Sequence, residues 1–417
     1  MLTPSLNSRS SSAGTTDLSG AVLDLLKKVL PGGQEKISLH EPCFSDKEQR
    51  YVAECIDSTF VSSVGEFVDR FEAMLSEYTG ARRVVAVANG TAALHVSLML
   101  SGVRQGDEVL MPALTFVATA NAVSYLGAVP HFVDSDLITL GIDPQKILDY
   151  LSETAEVRND SCYNKKTGRR IRALIAVHTY GHPVDLDRLL EACRRFKIQL
   201  VEDAAESLGS LYKGVHTGRT GRLSALSFNG NKIITTGGGG AIMTDDEELG
   251  EQAKHITTTA KLPHKWSFFH DRVGYNYRMP NINAALGCAQ LEQLPSFIKR
   301  KRNIAARYSK VFSDLDGVTF FSEPEFARSN YWLNVILLNE HISSDSVDRP
   351  ITIRDRDELV RLRDSILDLT NSNGIMTRPA WRLMHKLPMY KDCPSMDLSV
   401  AERLEASLIN IPSSASL

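Results

Sequence analysis

Apolar positions along this chain follow two alternating rhythms. Short runs such as Val84-Val85-Ala86-Val87-Ala88 have no polar interruption, and between such runs apolar residues return every three or four positions. The first rhythm predicts buried strands and the second predicts helices lying over them. Strands are expected over 84–88, 108–111, 129–133, 173–177, 198–202 and 241–244, with helices over 90–100, 116–126, 185–196 and 245–256. Strands and helices in alternation predict an α/β domain whose mostly parallel sheet is covered on both faces.

Upstream, Ser45 with Glu48 three residues later forms a capping box that opens a helix over 45–56. Phe67, Phe71, Met74, Leu75 and Tyr78 mark the core face of the next helix. A short helix over 18–30, closed by Pro31-Gly32-Gly33, is set in an otherwise loose N-terminal lead and is placed outside the core. A helix rich in small residues (Ala284, Ala285, Gly287, Ala289) invites close approach of another helix. From about residue 313 the pattern changes to α+β, with strands near 318–321, 331–338 and 375–378 and a helix over 356–369. The expected division is a lead over 1–35, a large domain over 36–295 and a small C-terminal domain over 296–417. The polar stretch 152–170, with Lys165, Lys166, Arg169 and Arg170, reads as a solvated surface excursion.

Composition removes several classes. The 417-residue chain is 43% apolar and 23% charged with a net charge of −3, so no global basic field recruits nucleic acid or an anionic membrane. Lys299-Arg300-Lys301-Arg302 is either a phosphate-binding patch or, more commonly for such runs, a solvated helix face. The six cysteines are scattered, without C-x-x-C spacing or a histidine partner, which argues against a metal site and a disulfide framework and suits a reducing cytoplasm. No signal-peptide pattern opens the chain and no uncharged apolar run is long enough to span a bilayer. A cytoplasmic protein that binds neither membrane nor nucleic acid is expected.

Three places carry candidate chemistry. Lys232 lies in Ser227-Phe228-Asn229-Gly230-Asn231-Lys232-Ile233-Ile234, which runs into the glycines 237–240. A lysine shielded on a tight turn attacks carbonyls as its neutral amine, although the same stretch also suits a glycine-rich hairpin with a solvated lysine. Asp203 and Glu206 follow the carboxyl end of the strand over 198–202, where parallel sheets place ligand-binding groups; Asp203 could equally cap the next turn. Asn89-Gly90-Thr91 joins a strand to a helix start, a ready anion site, or else Thr91 merely caps that helix.

Taken in order, these pieces resemble the sugar aminotransferases of the DegT/DnrJ/StrS family. The matching stretches are Asn89-Gly90-Thr91-Ala92, Pro112-Ala113-Leu114-Thr115-Phe116, Glu202-Asp203-Ala204-Ala205, Ser227-Phe228 with Lys232, Gly274-Tyr275-Asn276-Tyr277-Arg278-Met279 and Asn410-Ile411-Pro412-Ser413-Ser414, spanning residues 37–415. The resemblance implies the fold-type I scaffold, with a mostly parallel seven-stranded sheet in the large domain, and a pyridoxal 5′-phosphate (PLP) cofactor that cycles through its pyridoxamine form. It implies that Lys232 binds the cofactor covalently and then acts as general acid and base, and that Asp203 pairs with the pyridine nitrogen. Phe116 is implied to stack on the ring, while Gly90, Thr91, Ala92 and Ser227 hold the phosphate. Glu206 stands near the phenolic oxygen, where relatives often carry Gln or His. Asn276 is implied to reach the cofactor phosphate of a neighbouring subunit, which makes a homodimer with shared active sites the expected assembly. Lys232 excludes the family's dehydratase branch, which carries His there.

Gly238 departs from the pattern, since many relatives carry Glu at that place. The form of the lysine stretch, with Ile37-Ser38-Leu39-His40-Glu41-Pro42 and Ser62-Ser63-Val64-Gly65, is similar to the legionaminic acid and bacillosamine subgroup. That likeness implies transfer of an amino group from L-glutamate to the 4-keto carbon of a UDP-linked 4-keto-6-deoxy N-acetylglucosamine derivative for surface glycan synthesis. Tyr331, Trp332, Arg378, Trp381, His385 and Tyr390 form an aromatic and cationic cluster suited to sugar and diphosphate, with core packing the competing role for Trp381 and Tyr390. His178 and His182 either line the site or are structural. Rival functions are the same chemistry on a 3-keto sugar or another nucleotide sugar, and a sensor that binds PLP or a nucleotide sugar without turnover.

Overall fold

Strands buried along nearly their whole length need cover on both faces, and the chain supplies it by crossing over after nearly every strand. The structure is a computed structural model that describes residues 13–339, 341–342, 352–353 and 355–417. The large domain holds β1 (Arg83–Val87), β2 (Glu108–Pro112), β3 (Val129–Val133), β4 (Arg170–Val177), β5 (Gln199–Asp203), β6 (Leu223–Ser227) and β7 (Gly240–Thr244). Their order across the sheet is β1-β7-β6-β5-β4-β2-β3. All neighbours from β6 to β3 run parallel, and β7 alone runs antiparallel to both β1 and β6. The expected seven-stranded, mostly parallel sheet is present.

The chain reverses its direction of travel across the sheet between β2 and β4, so a crevice opens beyond the carboxyl ends of the central strands. Thr115 and Phe116 after β2, His178 after β4 and Asp203 at the end of β5 all arrive at that edge. The helix Gly90–Leu100 is buried along most of its length against the sheet, which orients its N-terminus toward the same crevice.

The excursion over 152–170 is solvated at Lys165, Lys166 and Arg169 as expected, but it is also an extension of the sheet. The strands Ala155–Arg158 and Ser161–Asn164 form a hairpin, and Cys162 pairs with Ile171 of β4, which brings the sheet to nine strands. Its polar residues satisfy a buried carboxylate: Asn164 Nδ2 and Thr167 Oγ1 donate to Glu108 at 2.9 and 2.6 Å, and His131 Nδ1 bonds it at 2.8 Å. Those residues look solvent-facing in sequence because the group they serve lies dozens of positions away.

The small domain is a four-stranded antiparallel sheet (Val318–Phe320, Asn334–Leu338, Leu408–Ile411, Arg378–Pro379) with the helices Leu294–Phe312, Arg356–Ser372 and Ser399–Ser407. The strand expected over 331–338 starts only at Asn334, because Tyr331 turns through φ 49° and Trp332 N–H donates to Asn330 Oδ1 at 2.8 Å. The strand expected over 375–378 reduces to Arg378–Pro379, with Ile375 making a lone parallel bridge to Ile37. The basic run is solvated only in its first half: Lys299 and Arg300 are exposed, as a solvated face requires, but the other two residues turn inward. Lys301 is fully buried and donates to the carbonyls of Trp332 and Ser413, while Arg302 forks onto Glu323 at 2.6 and 2.8 Å. Burial without a carboxylate holds the Lys301 ammonium well below its usual pKa.

The N-terminal lead also needs correction. The helix Ala13–Val29 is not outside the core: Val22, Leu26 and Val29 are at most 1% exposed and cluster with Ile304, Tyr308, Leu362 and Ile366 of the small domain. Residues 1–12 lie outside the described residues. Leu26→Ala is expected to cost about 2–4 kcal/mol through lost transfer energy and a residual cavity, read as a lowered urea midpoint. A loose lead would leave that midpoint unmoved. Among the described residues no helix is long and apolar enough to cross a membrane.

Candidate active site

The glycines after Lys232 close a wide connection between β6 and β7. Phe228 N–H donates to Gly239 O at 2.8 Å and Thr236 N–H to Phe228 O at 3.0 Å, which ties the two ends of the loop together. Gly240 begins β7 against the start of the helix Gly90–Leu100, where a Cβ would stand 2.5 Å from the Asn89 carbonyl carbon. Only glycine permits that approach, and it sets the lysine loop beside the helix N-terminus. A Cβ on Gly238 would meet nothing within 4 Å, so packing gives no reason for the glycine there.

The result is a cavity of about 300 Å³. Asn89, Gly90 and Thr91 line one wall, Thr115, Phe116 and Thr119 a second, Asp203 and Glu206 the floor, and Ser227, Asn231 and Lys232 the side under Trp332 and Trp381. Among its lining residues the ionisable side chains are Asp203, Glu206 and Lys232.

Asp203 is 6% exposed; Thr119 Oγ1 donates to its Oδ2 at 2.8 Å and Ala205 N–H to its Oδ1 at 3.2 Å. Burial raises its pKa, opposed by the Thr119 hydroxyl, the Ala205 amide and the Lys232 and His178 charges. Thr119→Val removes a lowering influence, so Asp203 should ionise only at higher pH. The acid limb of the kcat/KM profile is then expected to move upward by about one unit, since a hydrogen bond to a charged group is worth roughly 1.5–3 kcal/mol. An unchanged limb would mean that Thr119 does not act on Asp203.

Lys232 Nζ lies 3.3 Å from Glu206 Oε1 and 4.0 Å from the centre of the Trp332 ring, with 12% of its side chain exposed. The indole Nε1–H of Trp332 donates to Asn231 O at 2.7 Å, which locks the ring against the ammonium. Burial, opposed mainly by the Lys232 charge, raises the Glu206 pKa.

At the helix start the cap is Asn89, whose side chain accepts the Ala92 amide at 2.8 Å, so Thr91 is not the capping residue. The Gly90 and Thr91 amides are first-turn groups with no intrahelical acceptor, and both residues line the cavity together with Ser227, against which Gly90 packs. Phe116 lines the cavity 52% exposed, its ring centre 6.2 Å from that of Trp381 in an edge-on arrangement. An exposed ring face, a buried carboxylate, an amine and a cluster of amide and hydroxyl donors form one donor set. It fits PLP: aromatic ring, protonated pyridine nitrogen, carbonyl carbon and phosphate each have a matching group.

The remaining expected residues are placed elsewhere. Ala92 is buried and does not line this cavity, and Asn276 is exposed outside it, where its Oδ1 accepts from Arg278 at 3.0 Å. Of the expected substrate contacts Trp381 lines the cavity, whereas Tyr331, His385 and Arg378 do not. Tyr331 is core, its ring 5.2 Å from His182. His385 sits 3.5 Å from Glu402, and Arg378 donates to Asn371 at 2.9 Å on the edge of the small sheet. Tyr390 is buried and donates to Asn121 at 2.6 Å. His178 is structural, bonded to Glu202 at 2.9 Å, and the His182 ring is buried with its pKa pushed down to about 3. Thr119 and Asn231 had no local motif to expose them, because both act through partners brought by other elements.

Residues 42–417 match the model of the DegT/DnrJ/EryC1/StrS aminotransferase family. The chain is 38% identical over 381 residues to a GDP-perosamine synthase of Escherichia coli O157:H7, covering 91% of this chain and 94% of that one. It is 34% identical over 385 residues to a GDP-perosamine synthase of Caulobacter vibrioides, covering 92% and 94%. Among solved structures, the aminotransferase TlmJ from Streptoalloteichus hindustanus superposes with a TM-score of 0.79 at 28% identity, covering 92% of this chain and 94% of that one. With the fold and the donor set in agreement, the chain belongs to the DegT/DnrJ/EryC1/StrS aminotransferase family of PLP-dependent nucleotide-sugar aminotransferases.

Proposed function

We propose that the protein transfers an amino group from L-glutamate to the 4-keto carbon of a nucleotide-linked 4-keto-6-deoxy sugar, in a pathway that builds a surface glycan. The observation that carries this reading is Lys232 beside Asp203, Glu206 and a donor-lined helix start in one cavity. Gly90, Thr91 and Ser227 hold the phosphate, Asp203 the pyridine nitrogen and Phe116 the ring face. The bound cofactor supplies an electron sink that stabilises negative charge on the reacting carbon. Lys232 moves the proton: from the glutamate α-carbon in one direction and onto C4 of the sugar in the other. Trp332 and Trp381 roof the cavity and keep water from the lysine. Asn276, exposed and outside its own cavity, reaches the phosphate site of a second subunit in a homodimer.

A GDP-linked acceptor takes precedence over the UDP-linked N-acetylglucosamine derivative implied by the lysine motif. Two relatives that share more than nine-tenths of the chain are named GDP-perosamine synthases. An absorbance titration tests the reading. L-Glutamate converts the visible band of the purified protein to that of the pyridoxamine form, and a panel of GDP-, UDP- and TDP-linked 4-keto and 3-keto sugars is then added. Return of the band with a GDP-linked 4-keto-6-deoxy sugar is the expected result. Return with a UDP-linked sugar alone restores the motif-based reading, and a band that ignores glutamate overturns the enzyme in favour of a sensor.

A further inference from the structure

Two carboxylates and one amine line the cavity, so the charges do not balance once the amine reacts. Glu206 Oε1 lies 3.3 Å from Lys232 Nζ, and Glu206 Oε2 accepts the Tyr180 amide at 2.8 Å. The Tyr180 bond fixes the rotation of the carboxyl group. Tyr180 holds φ 56° in the turn Thr179–Gly181, a left-handed backbone conformation that persists only where surroundings enforce it. They do: Leu333 N–H donates to Tyr180 O at 3.3 Å, and Asn330 Nδ2 holds the Glu206 carbonyl at 2.9 Å. One oxygen is therefore a committed acceptor, and the other is free to carry a proton toward Lys232.

We propose that Glu206 is the proton store of Lys232, taking the ammonium proton on Oε1 when the lysine reacts and remaining a neutral acid that donates into the cavity. The inference rests on the reading of this cavity as the PLP site. In the step, an N–H bond of the ammonium breaks and an O–H bond on Oε1 forms. Ammonium and carboxylate become amine and carboxylic acid with no net change in charge.

The neighbours favour that outcome. Asp203 faces Glu206 from the end of β5 with like charge, Asn330 from the small domain is neutral, and the Tyr180 amide offers a single donor. Lys232 is the cation holding Glu206 ionised, and burial and Asp203 both oppose it. Lys301 gives no substitute, since its ammonium is spent on the carbonyls of Trp332 and Ser413. When Lys232 loses its charge, a buried carboxylate facing Asp203 has no compensation and takes the proton.

Infrared difference spectroscopy reads that proton directly. Loading the wild-type protein with PLP is expected to produce a protonated-carboxyl band that shifts in D₂O and is missing in Glu206→Gln. In Lys232→Met the same band is expected without any cofactor, because the compensating cation has been removed. Labelling with ¹³C-glutamate assigns the band in unmodified protein should a variant fail to fold. A loaded wild type that shows its visible cofactor absorbance but no glutamic acid band overturns the proposal. So does Lys232→Met without the band. Absence of the visible absorbance would instead remove the PLP reading, and the cofactor-free Lys232→Met spectrum would still decide where the proton goes.

Discussion

Lys232→Ala is expected to lower glutamate-dependent turnover by about 10⁴-fold or more, at the upper end of what a positioned acid–base group contributes. The size of the effect follows from what else lines the cavity. Asp203 and Glu206 are the other titratable residues there, and no histidine, cysteine, tyrosine or second lysine is present to take over. Asp203 is committed to Thr119 and the Ala205 amide, and Glu206 to the Tyr180 amide. Neither carboxyl can act as the amine nucleophile. On the proposed reading the variant loses both the covalent attachment and the proton carrier, but Gly90, Thr91 and Ser227, proposed to hold the phosphate, still line the cavity. Binding of PLP should therefore survive with an altered visible spectrum. A small primary amine added to the solution should restore part of the turnover, because the space vacated by the side chain is enclosed under Trp332. Stopped-flow absorbance with L-glutamate checks all three statements, and turnover within tenfold of wild type would remove Lys232 from the mechanism.

The parts of the site that sequence exposes are those whose chemistry and local structure coincide. Asp203 ends a buried strand, Asn89-Gly90-Thr91 joins a strand to a helix, and Lys232 precedes a run of glycines. Each is a short segment whose backbone geometry and function follow from the same few residues. Thr119, Asn231, Tyr180 and Trp332 belong to the same site, but their roles arise from contacts with residues 84, 101, 26 and 101 positions away. No local pattern announces such pairs. The N-terminal helix shows the converse: its apolar spacing at Leu18, Val22 and Leu26 is legible, yet its partners lie on the helices Leu294–Phe312 and Arg356–Ser372. An amphipathic face can be read from a sequence more easily than the surface that covers it. The expected substrate cluster is split for a related reason. Tyr331, Trp332, Arg378 and Trp381 all carry groups suited to a sugar nucleotide, but Tyr331 turns into the core through its positive φ, Arg378 lies on a sheet edge, and Trp332 and Trp381 reach the cavity.

Asp203→Asn separates what the site needs for chemistry from what the fold needs for stability. Burial raises the pKa of Asp203, so the folded state carries a charge that the unfolded chain bears more cheaply. A carboxyl whose pKa is raised on folding penalises the native state above its unfolded pKa, and the penalty is relieved as pH falls through that range. Asparagine keeps the shape and can still accept the Thr119 hydroxyl bond of 2.8 Å, but it never carries the charge. At pH 7 the variant is therefore expected to be at least as stable as wild type, by thermal unfolding of the cofactor-free protein. Its turnover should fall by about 10²–10³-fold, the typical loss when one preorganised electrostatic contact to a developing charge is removed. The two readouts must diverge for the argument to hold. A variant that loses both stability and turnover would place Asp203 among the residues that hold the sheet edge together. One that keeps both would leave the pyridine nitrogen without its partner in this cavity, since the other carboxyl, Glu206, is already engaged by Lys232 and Tyr180.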